Sequence, residues 1–306
     1  MKANNYLVFS TQQYGYLRQS LTQYEGFEAG ELTHKTFPDG EVYHQLHSNV
    51  EDRNVILIGG TINATETLEL FDMACGLVHS GAARLHLCIP YFGYSTMERA
   101  TQEGEIVKAK NRARLLSAIP KAYLGNQAVF IDLHVSGIEH YLEGALHSYH
   151  LYAKPIIVEV ARSLSSDFVL AATDAGRAKW VESLANDMGV EAAFVYKKRL
   201  SGSETQVTGI NADVKNQSVI LYDDMIRTGG SLIKAAEAYL KAGAKQTFAI
   251  ATHGVFPEGA LERIKSSGAI RKLVVTDTHP HAVALADDFL EVRSVATLLH
   301  DLFGQK

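Results

Sequence analysis

The chain has 306 residues, of which 46% are hydrophobic and 21% charged, and its formal net charge is −5. This composition is typical of a folded globular protein, and the length predicts about two domains. The acidic balance argues against non-specific nucleic-acid binding and against a basic membrane-binding patch, and no apolar run reaches the ~20 residues that a membrane helix needs. We therefore expect neither nucleic acid nor a membrane among its partners.

The two cysteines, Cys75 and Cys88, lie in apolar stretches and are interpreted as reduced core thiols. The first residues, Met1 to Asn5, lead into a short strand-like run and contain no signal-peptide core. Reduced cysteines without a secretory leader are typical of cytoplasmic proteins, so we expect a cytoplasmic location.

Short apolar runs rich in β-branched residues alternate with amphipathic stretches. In chain order they predict a strand at 55–58, a helix at 68–77, strands at 85–89, 129–133 and 168–171, a helix at 176–187, strands at 192–196 and 219–222, a helix at 230–242, a strand at 247–250, a helix at 258–266, a strand at 273–275 and a helix at 295–303. This alternation predicts an α/β fold with parallel sheets that helices cover on both faces.

The two halves of the chain resemble each other. Residues 54–92 and 218–254 share the order strand, turn, amphipathic helix, Gly-Ala and strand. We interpret this as a duplication that gives one domain at 1–148 and a second at 149–291. The C-terminal segment, 292–306, is able to pack on either domain, and we assign it to the first.

The most informative segment is 219–231, where a hydrophobic strand ends in Asp223 and Asp224. The turn after it supplies Arg227, Thr228, Gly229, Gly230 and Ser231. Its glycines allow backbone N–H groups to approach a phosphate, and its hydroxyls and the following helix N-terminus add further donors. The two carboxylates are suited to a ribose diol. We predict a ribose-phosphate site here; an acidic strand end with Ser231 as a helix N-cap is the simpler alternative.

This strand-turn-helix resembles the phosphoribosyl-diphosphate loop of the phosphoribosyltransferase fold, and further motifs resemble the ribose-phosphate diphosphokinases (PRPP synthetases) in order and spacing. They are Phe37-Pro38-Asp39-Gly40-Glu41, Pro90-Tyr91-Phe92-Gly93-Tyr94, Asp132-Leu133-His134, Asp174-Ala175-Gly176, Lys197-Lys198-Arg199 and Thr252-His253-Gly254. The resemblance extends from about residue 6 to the C-terminus. It implies two duplicated phosphoribosyltransferase-type domains, each a mainly parallel sheet flanked by helices. It also implies a homo-oligomer with the ATP site at a subunit interface.

The resemblance implies a role for each matched residue. Lys197 and Arg199 would stabilise the transferring diphosphoryl group from a polar segment interpreted as a mobile loop. His134 and Asp174 would hold Mg²⁺. ATP, the co-substrate, would contact Phe37, Asp39, Glu41, Arg99 and His134. The ribose phosphate would contact Asp223, Asp224, Arg227, Thr228, Gly229, Gly230 and Ser231. A core position for His134, a solvated basic turn at 197–199 and an ordinary turn at 37–41 are the simpler interpretations of these residues.

The chain departs from the family pattern at several positions. Thr96 and Met97 stand where members of the family have an Arg and a Gln that contact ATP, and nearby Arg99 is the candidate substitute. Trp180, the only tryptophan, replaces a common Arg, and Arg177 and Arg227 are also unusual.

We predict transfer of the diphosphoryl group of ATP to the C1 hydroxyl of ribose 5-phosphate, which releases AMP and serves nucleotide biosynthesis. One competing hypothesis is the same reaction on ADP-ribose, in NAD metabolism, with Arg177 and Trp180 as contacts to the larger acceptor. Packing of Trp180 at helical spacing with Leu184 and Met188 would explain this residue without such an acceptor. Two further hypotheses are a phosphoribosyltransferase and a non-catalytic regulatory subunit, the latter favoured by Thr96 and Met97. His279 and His281 are interpreted as loop histidines.

Overall fold

The computed structural model describes residues 5–173, 175–201 and 204–304. The chain divides into two compact units. The first comprises Met1–Tyr152 together with Ser294–Lys306, and the second comprises Ala153–Arg293. The C-terminal helix therefore belongs to the unit that contains the N-terminus.

The first unit is built on a six-stranded parallel sheet. Its strands and helices are β1 (Tyr6–Ser10), α1 (Gly15–Leu21), β2 (Phe27–Ala29), β3 (Leu32–Thr36), β4 (Val42–Leu46), β5 (Asn54–Ile58), α2 (Ala64–His79), β6 (Arg84–Ile89), α3 (Lys108–Ser117), β7 (Asn126–Ile131), β8 (Leu146–Leu151) and, at the C-terminus of the chain, α9 (Ala296–Gly304). The strand order is β2-β1-β5-β6-β7-β8, and all neighbouring pairs are parallel. Strands β3 and β4 form a separate antiparallel hairpin.

The second unit repeats this arrangement. It contains α4 (Lys154–Leu164), β9 (Phe168–Ala172), α5 (Ala178–Met188), β10 (Ala192–Ala193), β11 (Val195–Ser201), β12 (Glu204–Ile210), β13 (Ser218–Ile226), α6 (Gly230–Lys241), β14 (Gln246–Gly254), α7 (Ala260–Ser266), β15 (Leu273–Thr276), α8 (Pro280–Ala284) and β16 (Leu290–Arg293). The order β10-β9-β13-β14-β15-β16 is again parallel throughout. A second antiparallel hairpin, β11–β12, lies between the second and third sheet strands in sequence, as β3–β4 does in the first unit.

The duplication extends to single turns. In the first unit Gly81 has a positive φ of 92°, and its carbonyl accepts a hydrogen bond of 3.0 Å from the N–H of Asp52, which also has a positive φ. In the second unit Gly243 has a φ of 97°, and its carbonyl accepts 2.9 Å from the N–H of Asn216, again at positive φ. Glycine adopts this conformation without steric cost, and Asp and Asn tolerate it better than most residues. The Gly-Ala pairs noted in the sequence thus close equivalent turns.

Continuous apolar runs produce the buried centre of each sheet. In β5 four of the five residues are buried, and all eight residues of β14 after Gln246 are buried. Strands covered on both faces need apolar residues at successive positions, which explains the absence of an alternating pattern. The α/β fold with two mainly parallel sheets flanked by helices, expected from the sequence, is confirmed.

Two predicted elements differ from the structure. The predicted strand at 192–196 is divided into the two-residue β10 and the start of β11. The segment from Lys197 onward, interpreted as a mobile loop, forms the β11–β12 hairpin, with Lys197 opposite Val207 and Arg199 opposite Thr205. Its polar sequence resembles a loop because the hairpin lies outside the six-stranded sheet and needs no apolar run.

Candidate active site

The predicted ribose-phosphate segment begins inside β13, which runs four residues further than expected, to Ile226. Asp223 and Asp224 therefore belong to the strand instead of following it. Successive residues of a strand face opposite sides of the sheet, so the two carboxylates have different surroundings. Asp223 is half-buried, whereas Asp224 is only 4% exposed.

The Asp223 carboxylate is held by donors on both oxygens. The hydroxyl of Thr173, at the end of β9, donates to Oδ2 at 2.6 Å. The backbone N–H of Asp224 donates to Oδ1 at 2.9 Å. These bonds fix the orientation of the side chain before any ligand arrives, which lowers the cost of binding. Thr173 was not singled out from the sequence; its position at the end of a predicted strand, beside Asp174, was the available signal.

The Asp224 carboxylate forms an ion pair with Arg177, whose Nη2 lies 2.5 Å from Oδ2. Arg177 follows β9 in the turn that leads into α5. The structure thus joins a residue predicted to contact an extended acceptor to one predicted to hold the ribose.

Trp180, in the first turn of α5, lies beside the same strand. Its ring stacks on Tyr222 of β13, with centroids 4.3 Å apart and planes 16° from parallel. The competing interpretation placed Trp180 on the packed face of the helix with Leu184 and Met188, which are both buried. Trp180 itself is half-buried, so one ring face packs against Tyr222 and part of the side chain remains accessible.

The turn after β13 places Gly229 at the N-cap of α6. Gly229 has φ 76°, and a Cβ there would lie 2.4 Å from Cγ1 of Ile264. Both the conformation and the space demand glycine. Ser231 is exposed and does not cap the helix, so the simpler alternative of a serine N-cap is wrong.

Exposed groups surround this helix N-terminus. Arg227, Thr228 and Ser231 are exposed. The first N–H groups of an α-helix have no partner within the helix, and the helix dipole favours an anion at that end. The turn therefore combines backbone donors, two hydroxyls and a guanidinium in one place, which is the chemistry that a phosphate ester requires.

In the first unit, residues 37–41 form the turn of the β3–β4 hairpin. The N–H of Phe37 donates to the carbonyl of Glu41 at 2.8 Å, and the N–H of Glu41 donates to Oδ1 of Asp39 at 3.1 Å. The side chains of all three are exposed, and Lys35 Nζ lies 4.8 Å from the centroid of the Phe37 ring. An exposed aromatic ring beside two carboxylates is available to a ligand or to another chain.

The remaining predicted site residues lie apart from these groups or outside the description. His134 is half-buried and follows β7. The Arg99 side chain is 77% exposed, and its Nε lies 3.5 Å from Glu98 Oε1. Asp174 and the side chains of Lys197 and Arg199 lie outside the described residues.

His279 is not the loop residue that we expected. It is buried at the N-cap of α8, where its Nδ1 accepts from the N–H of His281 at 3.2 Å. Burial, followed by the charges of His253 and His281, lowers the pKa of His279 to about 3. His253, from the Thr-His-Gly motif, is also buried and contacts the Thr278 hydroxyl at 2.8 Å. These histidines belong to a packed polar layer at the end of β14.

Comparison with known proteins decides the family. The N-terminal domain of ribose phosphate pyrophosphokinase matches residues 6–119, and the phosphoribosyl synthetase-associated domain matches residues 170–299. A ribose-phosphate pyrophosphokinase of Synechococcus elongatus is 30% identical over 95% of this chain and 88% of its own length. One from Caldanaerobacter subterraneus is 31% identical over 96% and 92%. The chain belongs to the ribose-phosphate pyrophosphokinase family.

The structural comparison agrees. The crystal structure of phosphoribosylpyrophosphate synthetase from Mycobacterium smegmatis matches with a TM-score of 0.84 and 26% identity, covering 98% of this chain and 97% of that one. The predicted enzyme class, a diphosphokinase-type transferase, is confirmed by this membership. Among the described residues no helix combines the length and the apolar character needed to span a bilayer.

Proposed function

We propose that this pyrophosphokinase transfers the β,γ-diphosphoryl group of ATP to the C1 hydroxyl of ribose 5-phosphate and releases AMP, in the cytoplasm and in nucleotide biosynthesis. The observation that carries the proposal is the continuity of β13, the 227–231 turn and α6. This continuity sets two oriented carboxylates directly before a helix N-terminus with a left-handed glycine.

The two halves of the acceptor would bind to different parts of this segment. The 5-phosphate would accept hydrogen bonds from the turn that contains Thr228, Gly229, Gly230 and Ser231, with Arg227 adding charge. The ribose hydroxyls would donate to Asp223 and Asp224. Because Arg177 already pairs with Asp224, it would remain close to the bound ribose and balance the buried negative charge.

ATP would bind through the groups that the family pattern matches, Phe37, Asp39, Glu41, Arg99 and His134. The exposed side chains of the 37–41 turn support binding of adenine from a neighbouring subunit, and hence a homo-oligomer. Lys197 and Arg199 would neutralise the charge on the transferring group. Phosphoryl chemistry of this type depends on positioning and charge neutralisation rather than on a covalent nucleophile.

The proposed Mg²⁺ ligands are His134 and Asp174. Mg²⁺ keeps several of its waters and needs only a few protein ligands, and the half-buried position of His134 is compatible with a hydrated cation. When bound with ATP, Mg²⁺ supplies charge neutralisation of the phosphates.

ADP-ribose is a second candidate acceptor, since its terminal ribose has a free C1 hydroxyl. The observation that favours it is the position of Trp180 and Arg177 beside Tyr222 and Asp224, because an aromatic ring and a guanidinium suit an acceptor that continues beyond its 5-phosphate.

AMP release from Mg-ATP by the purified protein tests both proposals. Parallel reactions contain ribose 5-phosphate, ADP-ribose or no acceptor. AMP formed with ribose 5-phosphate supports the proposed reaction, and AMP formed mainly with ADP-ribose supports the larger acceptor. AMP formed with neither acceptor would overturn both and favour the regulatory subunit.

A further inference from the structure

A cluster of three metal-ligating side chains lies in the first unit, outside the candidate active site. His34 of β3 and His44 of β4 are directly opposite each other in the hairpin, and Glu69 lies on α2. Glu69 Oε1 lies 3.8 Å from Nε2 of His34 and 3.6 Å from Nε2 of His44. One ligand atom from each of the three residues lies within 4.8 Å of the other two.

The surroundings of the cluster hold the carboxylate in place. Glu69 is only 9% exposed, and its Oε1 accepts a hydrogen bond of 3.0 Å from the backbone N–H of Gln12. Half-buried His34 and His44 cross edge to face, with ring centroids 4.9 Å apart. Three side chains from two separate elements therefore converge on one point.

Two polar atoms near this point are buried without a hydrogen bond. Nε2 of His44 is one, since its distance to Glu69 is too long for a hydrogen bond. Oε2 of Glu66, a residue three positions before Glu69 on α2, is the other. A buried polar atom without a partner costs free energy, and such atoms call for an explanation. A bound cation would serve as the partner of the imidazole and offset the negative charge of the carboxylates.

The distances fit a small tetrahedral ion. Bonds of about 2.0–2.1 Å at tetrahedral angles put ligand atoms about 3.3–3.4 Å apart. The two His–Glu distances exceed this by a few tenths of an ångström, which small side-chain rotations can close. Two imidazoles and one carboxylate suit Zn²⁺, whereas Mg²⁺ prefers a set made of oxygen atoms.

We propose that His34, His44 and Glu69 bind one Zn²⁺ ion, with water in the fourth position. The ion would tie the β3–β4 hairpin, which is not part of the six-stranded sheet, to helix α2. This site is distinct from the proposed Mg²⁺ ligands, and it does not depend on the proposed phosphate chemistry.

The test measures metal binding by untagged full-length protein after removal of bound metal. Isothermal titration with Zn²⁺ gives the stoichiometry, and Co²⁺ as a replacement gives a visible absorption band whose intensity reports tetrahedral coordination. We expect one tightly bound ion per chain. His44→Asn should weaken binding about 100-fold or more and remove the intense Co²⁺ band, because a direct ligand is lost.

His47→Asn is the matched control, because His47 follows the same hairpin but contacts the Thr33 hydroxyl instead of Glu69. It should bind Zn²⁺ like the wild type. Metal-free His44→Asn should unfold at the same temperature as the metal-free wild type within a few degrees, which shows that the variant is folded. Absence of stoichiometric Zn²⁺ binding, or binding that His44→Asn leaves unchanged, would overturn the proposal. Hydrogen exchange in residues 32–46 should slow with Zn²⁺ and not with Mg²⁺, and equal exchange with both would also contradict it.

Discussion

Arg177 and Asp224 form a close ion pair in which Nη2 and Oδ2 are 2.5 Å apart and the carboxylate is almost fully buried. The pair joins the turn after β9 to β13, and so connects two neighbouring strands of the second sheet where the ribose is proposed to bind. Removal of the guanidinium would leave a buried charge with less compensation. Such a loss typically costs more than the pair itself contributes to stability.

We therefore predict that Arg177→Gln destabilises the second unit. The expected loss is about 2–3 kcal/mol, below the range for fully buried pairs because Arg177 is partly exposed. Urea unfolding followed by the fluorescence of Trp180, the only tryptophan, measures it in the correct unit. The double variant Arg177→Gln/Asp224→Asn should regain most of the loss, and additive losses in the double variant would refute the coupling.

The two glycines at the start of α6 should respond differently to alanine. Gly229→Ala places a Cβ against Ile264 at a positive φ and should cost about 2–4 kcal/mol. Gly230→Ala meets nothing closer than the Thr228 hydroxyl at 4.0 Å and should change stability by less than about 0.5 kcal/mol. Unfolding curves of the two variants provide the comparison. Equal effects would show that the left-handed N-cap is not required.

The second unit should lose stability in acid through His279. Its folded pKa of about 3 lies below the ordinary value of 6.5, because burial disfavours the imidazolium. The unfolded chain therefore binds a proton more readily, and the stability present above pH 6.5 falls as the pH drops toward 3. Between pH 6 and pH 4 this contributes about 2–3 kcal/mol.

His279→Asn tests this, since asparagine also serves as an N-cap and does not titrate in this range. Its Trp180-detected stability should decline less between pH 6 and pH 4 than that of the wild type. His147→Asn, at an exposed position of β8, should retain the wild-type slope. A His279→Asn variant as acid-sensitive as the wild type would contradict the assignment.

Trp180 separates its two possible roles. Trp180→Phe preserves an aromatic stack on Tyr222, whereas Trp180→Ala removes it and should cost about 2–3 kcal/mol. If Trp180 only packs, Trp180→Phe will leave KM for ribose 5-phosphate within about threefold and will not discriminate between acceptors. A rise in KM confined to ADP-ribose would instead establish an acceptor contact.

The sequence predicted those parts of the fold that depend on burial. The run Val219–Tyr222 is apolar because β13 lies in the middle of its sheet, covered on both faces. The β3–β4 hairpin was missed because it is largely exposed and polar, and α3 because only Ala109, Ala113 and Leu116 of its ten residues are buried. Local pattern detects buried runs and fails at short edges and polar helices.

The site was predicted to the extent that it is local in sequence. Asp223, Asp224 and the turn after them lie within nine residues, so their spacing indicated a ribose phosphate. The Arg177–Asp224 pair and the His34–His44–Glu69 cluster depend on strands and helices that meet only in the folded chain. Burial of His279 likewise follows from the packing of α8, for which its exposed-looking sequence, Asp277-Thr278-His279-Pro280-His281, gave no signal.

The central claim is that Asp223, before the α6 N-terminus, binds the ribose of the acceptor. The most direct measurement is ribose 5-phosphate-dependent AMP release from Mg-ATP by the wild type and by Asp223→Asn. Asparagine preserves size and one acceptor oxygen but removes the charge. We predict acceptor-dependent AMP release by the wild type and a loss of kcat/KM of about 100-fold or more in the variant, with unchanged unfolding. AMP release that is equally fast in both proteins would contradict the account.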